Sequence, residues 1–301
     1  MFEQVVLAGG GHRCWWQAGF WDVVAPRIGL RPKVIAGVSA GAGIACLLYA
    51  NDSREAIRFC YRTMSTNRKN AYWLNLFRPG ERVFPQYAIY RSALKTLLGG
   101  AHFNQLQRDA PEIRVVYARI PRHLEFRSAA MLGLIADQFD KYGKKTLHPE
   151  FATRLGFTTE IELVRDCPND DDLVSLILAS SCTPPFTPVV YRRGAPVLDG
   201  GLVDCVPVAA VDPAPVPTLV LTTRRYPDYA QIFGLQGRIY VQPSRQVPVS
   251  SWDYTAPERV EQTFVLGRED GETFLRALGR GALERAQRWV PGDNVASERQ
   301  P

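Results

Sequence analysis

The sequence predicts an α/β fold built on a mostly parallel sheet. Short apolar runs ending in glycine or serine, "QVVLAGGG" and "KVIAGVS", alternate with apolar helical stretches, "WWQAGFWDVVA" and "AGAGIACLLYAN", before residue 52. Strand, helix, strand, helix at this spacing is how a parallel sheet begins. The chain has 301 residues, of which 46% are hydrophobic and 22% charged, enough for one large core. No internal repeat or linker divides it.

The elements follow in order. The first helix is expected to stop near Pro26. Residues 52 to 100 read as mainly helical, broken at Pro79 and Pro85. "EIRVVYARI" (112 to 120) is a strand, "MLGLIADQFDKYG" (131 to 143) a helix, and "TEIELVRD" (159 to 166) alternates like a strand. "DDDLVSLILASSCTPPF" opens with acids suited to a helix N-terminus and closes at Pro184 and Pro185. "PVVYRRGAPVLDGG" reads as a hairpin, and "PTLVLTTRR" and "GRIYVQPSR" as two further strands. The expected domain covers residues 1–290, with core motifs in 4–208 and strands and an amphipathic helix in 217–290. A disordered tail is expected at 291–301.

Composition narrows the function classes. The N-terminus "MFEQVVLAGG" runs into a strand pattern without a basic leader, so no signal peptide is expected. The uncharged run Val34 to Ala50 is short for a membrane span and carries three glycines. Six cysteines without a C-x-x-C pair argue against a zinc site or disulfide framework and fit a reducing, cytoplasmic setting. A net charge of +6 favours anionic partners. The basic residues are dispersed and no nucleic-acid signature is present, so a solvated basic surface is the simpler reading.

Three stretches can carry chemistry. In "GVSAG", Gly37 and Gly41 flank Ser39 in the frame of a nucleophile on a tight strand-to-helix turn, with Ala40 opening the helix. There the helix dipole and free N–H groups stabilise negative charge. In "AGGGHRC", Gly9, Gly10 and Gly11 link a strand to a helix. A dinucleotide loop would place glycine at Cys14 and an acid about twenty positions on, where Arg31 and Lys33 stand. An oxyanion hole from the Gly10 and Gly11 N–H groups, with Arg13 nearby, fits better. In "VLDGG", Asp199 precedes Gly200 and Gly201, which alone is as well explained by a hairpin turn.

A serine nucleophile ordinarily needs a histidine. The four are His12, His102, His123 and His148, and none follows Asp199, so an order of serine, acid, histidine fails with that acid. Asp109 with His123 or His148 is the formal alternative. His12 sits in the glycine loop, and the others in irregular or surface-like segments. The simplest reading dispenses with histidine.

On these residues the sequence resembles the patatin-like phospholipases, lipid acyl hydrolases that use a serine–aspartate dyad. The carriers are "GGGHR" at 9–13, "GVSAG" at 37–41 and "DGG" at 199–201, within a likeness over about residues 4 to 208. The departures are Cys14, where many members have glycine, and Cys205, where they have asparagine; Cys14 is expected to restrict the loop after Arg13. The resemblance implies a three-layer α/β/α fold, Ser39 as nucleophile, Asp199 as base, Gly10 and Gly11 as oxyanion donors, and no cofactor or metal. A carboxylate of reference pKa about 3.9 is a weak base, so it must be held within roughly 2.6–3.2 Å in a desolvated pocket.

Two segments bear on access to lipid. "ETFLRALGRGALERAQRWV" (272 to 290) sets Phe274, Leu278, Ala282 and Trp289 against Arg276, Arg280, Glu284 and Arg288. It either lies on an anionic membrane or docks on the core, and Gly279 and Gly281 weigh toward docking. "AYWLNLFRPG" supplies Tyr72, Trp73, Leu74, Leu76 and Phe77 for an acyl pocket or lid, or for plain core. The expected partners are a phospholipid or other lipid ester and a peripheral membrane contact, with no nucleic acid. The rivals are a general carboxylesterase or acyltransferase on the same dyad, and a non-catalytic membrane-binding protein.

Overall fold

A computed structural model describes residues 2–121, 147–148 and 151–279. The expected helix at 131–143, His123, residues 280–290 of the amphipathic segment and the 291–301 tail lie outside the described residues. The fold is α/β, with a nine-stranded mixed sheet whose centre is parallel. Its strands are β1 (Gln4–Leu7), β2 (Val34–Val38), β3 (Glu112–Arg119), β4 (Thr158–Leu163), β5 (Val190–Arg192), β6 (Ala195–Asp199), β7 (Thr218–Leu221), β8 (Ile232–Leu235) and β9 (Arg238–Val241). The strands β3, β2, β1, β7 and β9 run parallel, while β4, β5, β6 and β8 join by antiparallel pairs.

Alternation along the central strands sorts their side chains onto two faces. Val5, Leu7, Ile35, Val115, Leu219 and Val241 point into a core shared with helices. Those helices are α1 (Trp15–Ile28), α2 (Ala40–Ala50), α3 (Ser53–Ser65), α4 (Gln86–Leu98), α5 (Ala101–Asp109), α7 (Asp170–Ser180) and α8 (Pro257–Gly279). A short α6 spans Phe151–Arg154. Val6, Ala36, Val38, Val116 and Val220 point to the other face, where Val206, Ala210, Val211, Tyr226 and Leu147 cover them. Helix α2 sits deepest of all, buried from Gly41 through Leu47.

The β3 strand sets the layout of the site. Its edge facing β4 is paired along Arg114–Arg119. The opposite edge is shared: β2 pairs with Glu112–Val116, and β6 takes over at Tyr117–Arg119. Because β2 is parallel to β3 and β6 antiparallel, both strands run toward the same point. Val38 ends one opposite Val116, and Asp199 ends the other opposite Tyr117.

Helix α1 departs from expectation by continuing through Pro26 to Ile28, ending where Gly29 adopts φ 59° and the Leu30 N–H bonds to Ala25 O at 2.9 Å. Proline in the last turn forfeits the single i→i−4 bond to the Asp22 carbonyl, a loss confined to one rung close to the helix end. His102 lies on α5, not in an irregular segment, with Nδ1 2.7 Å from Ala50 O. The described part of the C-terminal segment docks on the core: Phe274 is buried against Phe20 at a ring separation of 5.2 Å. Buried Asp270 ties that helix down, accepting from Trp16 Nε1 at 2.8 Å and Ser244 N at 3.0 Å.

Helices α1 and α8 touch backbone to backbone. A Cβ at Gly19 would collide with the Phe264 carbonyl, and one at Gly267 with the Trp16 carbonyl. Gly267→Ala is expected to force the pair apart and cost about 1–3 kcal/mol, read from chemical denaturation. A variant as stable as the parent would show that the helices separate freely.

Candidate active site

Ser39 occupies the junction of β2 and α2 with φ 55° and ψ −133°. A side chain is rarely held at positive φ, and the strain is of order 1–3 kcal/mol. Two hydrogen bonds and two close backbone approaches hold it there. The Ser39 N–H donates to Ser180 Oγ at 2.7 Å, and Ser180 Oγ–H donates in turn to Val116 O at 2.5 Å. On either side the chain passes where only hydrogen fits: a Cβ at Gly37 would meet the Ala42 backbone, and one at Gly41 the Leu7 and Ala8 carbonyls.

Asp199 arrives from the opposite direction at the end of β6. Ser39 Oγ–H donates to Asp199 Oδ2 at 2.7 Å, within reach for proton transfer. The other oxygen, Oδ1, accepts the Gly201 N–H at 2.7 Å, and Gly200 lies against the Val116 carbonyl. One carboxylate oxygen is thus fixed to the turn, and the second faces the serine.

The three loop glycines divide their work. The Gly9 N–H is engaged with Cys205 O at 2.9 Å, and Gly9 O accepts from Thr223 Oγ1 at 2.5 Å. The N–H groups of Gly10 and Gly11 have no acceptor among the described residues, as an oxyanion hole requires. Both glycines have positive φ, and a Cβ would strike Thr223 at the first and the Ser251 backbone at the second. Arg13 Nε–H braces the loop by donating to Gly10 O at 3.2 Å. Burial and the neighbouring Arg224 guanidinium lower the Arg13 pKa, and Arg13 has no ion pair among the described residues.

Cys14 is buried with ordinary helical torsions, φ −65° and ψ −16°, and its Sγ–H points to Ala8 O at 3.5 Å. It therefore places no positive-φ demand on the loop, contrary to the expected restriction. Cys205 links the loops, giving its carbonyl to Gly9, its thiol to Gly201 O at 3.4 Å, and its sulfur to Arg224 Nη2 at 3.4 Å. Ser180, Thr223, Arg224 and Trp252 complete the site and were not singled out in the sequence. Ser180 closes the apolar run of α7 beside Ser181, and nothing local sets it apart from Ser175 within the same helix.

Ser39 lies on the wall of two dissimilar cavities. One is apolar and runs between α2, α3 and α4 past Gly43, Leu47, Met64, Leu94 and Leu98. The second is lined by Asp199, Arg13 and Arg224. Trp252 borders both. Tyr72, Trp73, Leu74, Leu76 and Phe77 line neither, and the last four side chains are not core either, being 63–85% exposed.

No histidine bonds to Ser39 among the described residues. His12 lines the apolar cavity, its ring 4.1 Å from that of Tyr254 and its Nδ1 2.9 Å from Asp253 O. His148 pairs with Asp204 at 3.2 Å. No group of three His, Cys, Asp or Glu side chains suited to a metal occurs among the described residues.

The model of the family described as patatin-like phospholipase matches residues 5–212. The chain belongs to that family, and membership supports a lipid hydrolase activity. No curated protein matches the sequence. Among solved structures, VipD from Legionella pneumophila is 11% identical with a TM-score of 0.47, over 92% of this chain and 67% of that one. Human GIVD cytosolic phospholipase A2 is 12% identical with a TM-score of 0.43, over 93% of this chain and 62% of that one. The chain thus spans less than two thirds of the human protein's length.

His12 gives this site an acid limit. It is 8% exposed, and burial pushes its pKa down to about 4. The unfolded chain takes up that proton near pH 6.5 while the native one resists it, so stability falls as pH drops from about 6.5 toward 4, by up to about 3 kcal/mol. His12→Gln is expected to lose less stability over that window in denaturation at stepped pH. Equal losses in the two proteins would remove His12 as the cause.

Proposed function

We propose that this chain hydrolyses carboxylic esters of lipid acyl chains through Ser39 and Asp199. The observation that carries the reading is the 2.7 Å Ser39–Asp199 hydrogen bond between an apolar and a cationic cavity. In this reading Asp199 Oδ2 takes the Ser39 proton as Oγ attacks the ester carbonyl. The oxyanion of the tetrahedral intermediate accepts from the Gly10 and Gly11 N–H groups, at the positive end of α2. Its collapse expels the alcohol, which takes the proton from Asp199 and leaves an acyl-serine. Asp199 then deprotonates a water that attacks the acyl carbon, releasing the acid and restoring Ser39.

The cavities suit the two halves of such a substrate. The apolar one follows α2 from Ser39 to Leu47, about 12 Å at the helix rise of 1.5 Å per residue. That length matches an acyl chain of roughly ten carbons at about 1.25 Å per methylene. Arg13 is half-buried and has no ion pair among the described residues, so stability alone gives little reason for a cation here. With Arg224 beside it, it suits an anionic leaving group. The peripheral membrane contact belongs to this reading too, since lipid esters reside in membranes; no helix among the described residues is long and apolar enough to cross one.

The test is hydrolysis of 4-nitrophenyl esters and phospholipid micelles by the parent, Ser39→Ala and Asp199→Asn proteins. Ser39→Ala is expected to abolish turnover, and Asp199→Asn to lower it by about 10²–10⁴-fold, with both folds intact by circular dichroism. Near-normal turnover in Asp199→Asn would remove the dyad. Serine-dependent activity confined to short esters would favour a general esterase.

Gly43 gives a test of the acyl cavity. Its Cβ position looks onto Tyr90 Oη at 2.9 Å and, farther off, onto Leu94 and Ile177 side chains. Gly43→Leu is expected to plug the cavity, lowering kcat/KM for long acyl esters by about tenfold or more and sparing acetyl esters. Equal losses on both would put the acyl chain elsewhere.

A further inference from the structure

Among the described residues, the largest exposed apolar group sits outside both cavities. Trp73, Leu74, Leu76 and Phe77 lie on one short 3₁₀ turn, Trp73–Phe77, at 63, 73, 66 and 85% exposure. Four large side chains exposed together are unusual on a water-soluble surface and mark an interaction site. The turn is held firmly by the loop around it. The Tyr72 N–H donates to Val83 O at 2.8 Å, and Asn75 Nδ2 to Arg82 O at 2.9 Å. Asn70 Nδ2 donates to Asp253 Oδ1 at 3.1 Å and Asn67 Nδ2 to Tyr254 O at 3.0 Å, fixing the loop to the segment beside Trp252.

Two features say what this surface meets. The first is charge: Arg68, Lys69, Arg78 and Arg82 flank the turn and are all exposed, against a single acid, Glu81. An apolar tip in a basic collar matches the boundary of an anionic bilayer, with rings among the acyl chains and cations at the headgroups. The second is continuity with the site. Trp73 packs on Phe84 at 5.9 Å, Phe84 on Phe186 at 4.8 Å, and Phe186 stacks on Trp252 at 5.4 Å, where Trp252 borders both cavities.

We propose that the 73–77 turn and its basic collar dock the protein on an anionic lipid bilayer, beside the mouth of the reaction site. The inference rests on the lipid-ester reading for its purpose, and its test does not depend on catalysis. Co-sedimentation of the Ser39→Ala protein with phosphatidylcholine vesicles containing phosphatidylserine, and with phosphatidylcholine alone, measures binding without turnover. Binding is expected on the anionic vesicles and is weakened by added salt. A Leu74→Ser/Phe77→Ser variant on the same background is expected to bind about tenfold or more weakly. The same pair on the active background should hydrolyse a water-soluble acetyl ester within about twofold of the parent, since surface changes away from the site are nearly neutral. Failure of the parent to bind anionic vesicles, or equal binding by the variant, would overturn the proposal. So would a dimer in solution that the double substitution dissolves while vesicle binding is absent, because the surface would then serve a second copy of the chain. Loss of ester hydrolysis in every protein with vesicle binding intact would remove the lipid-ester reading and leave the docking surface standing.

Discussion

The arrangement of the site depends on one backbone constraint: β2 and β6 share a single edge of β3 and end there head to head. Val38 is spent opposite Val116 and Asp199 opposite Tyr117, so successive rungs of β3 determine how far the serine lies from the carboxylate. A hairpin strand entering antiparallel is what makes this possible, because a parallel β6 would begin where β2 stops and carry Asp199 away. The supports converge on the same rungs. Ser180 bridges Ser39 N–H to the Val116 carbonyl, and Gly200 rests on that carbonyl. Positive φ at Ser39 is sustained by this over-determination, which is how a fold of marginal stability can hold local strain of that size.

In the proposed dyad, pinning stands in for the histidine that a serine nucleophile usually requires. An imidazole needs a third group to fix its tautomer and orientation. A carboxylate has two equivalent oxygens, and the Gly201 N–H takes one, which orients the other. The glycine loop shows the same economy. Gly9 is tied to Cys205 and Thr223, so the next two N–H groups project without partners. The Gly9 N–H bond to Cys205 O also ties the glycine loop to the loop that follows Asp199.

Much of this was legible in the sequence because it is local. Strand, glycine loop and helix, and the elbow around Ser39, follow from short-range periodicity and from glycine at fixed offsets. The Asp199 turn could be recognised only with the other motifs beside it. What escaped was long-range or weakly marked. Strand β8 is four residues long and joins β9 through Gln236 and Gly237, both at positive φ, without the Asn-Gly pair that usually announces such a turn. Helix α8 begins at Pro257, well before the amphipathic pattern noticed from residue 272, because its first half is buried against Gly19 of another helix. Ser180 and Thr223 act on residues 141 and 214 positions away, a relation that no window of sequence contains.

Residues 73–77 make the complementary point. Their apolar character was plain, and spacing left open whether they lined a pocket or filled the core. The reason they do neither is steric. The turn is only five residues long, and Tyr72 and Asn75 bond across its base to Val83 and Arg82, which closes the loop before its side chains can turn inward. Phe84, just past that closure, is half-buried and meets Phe186. Composition therefore could not separate an exposed tip from a core segment, whereas the hydrogen bonds of one loop do.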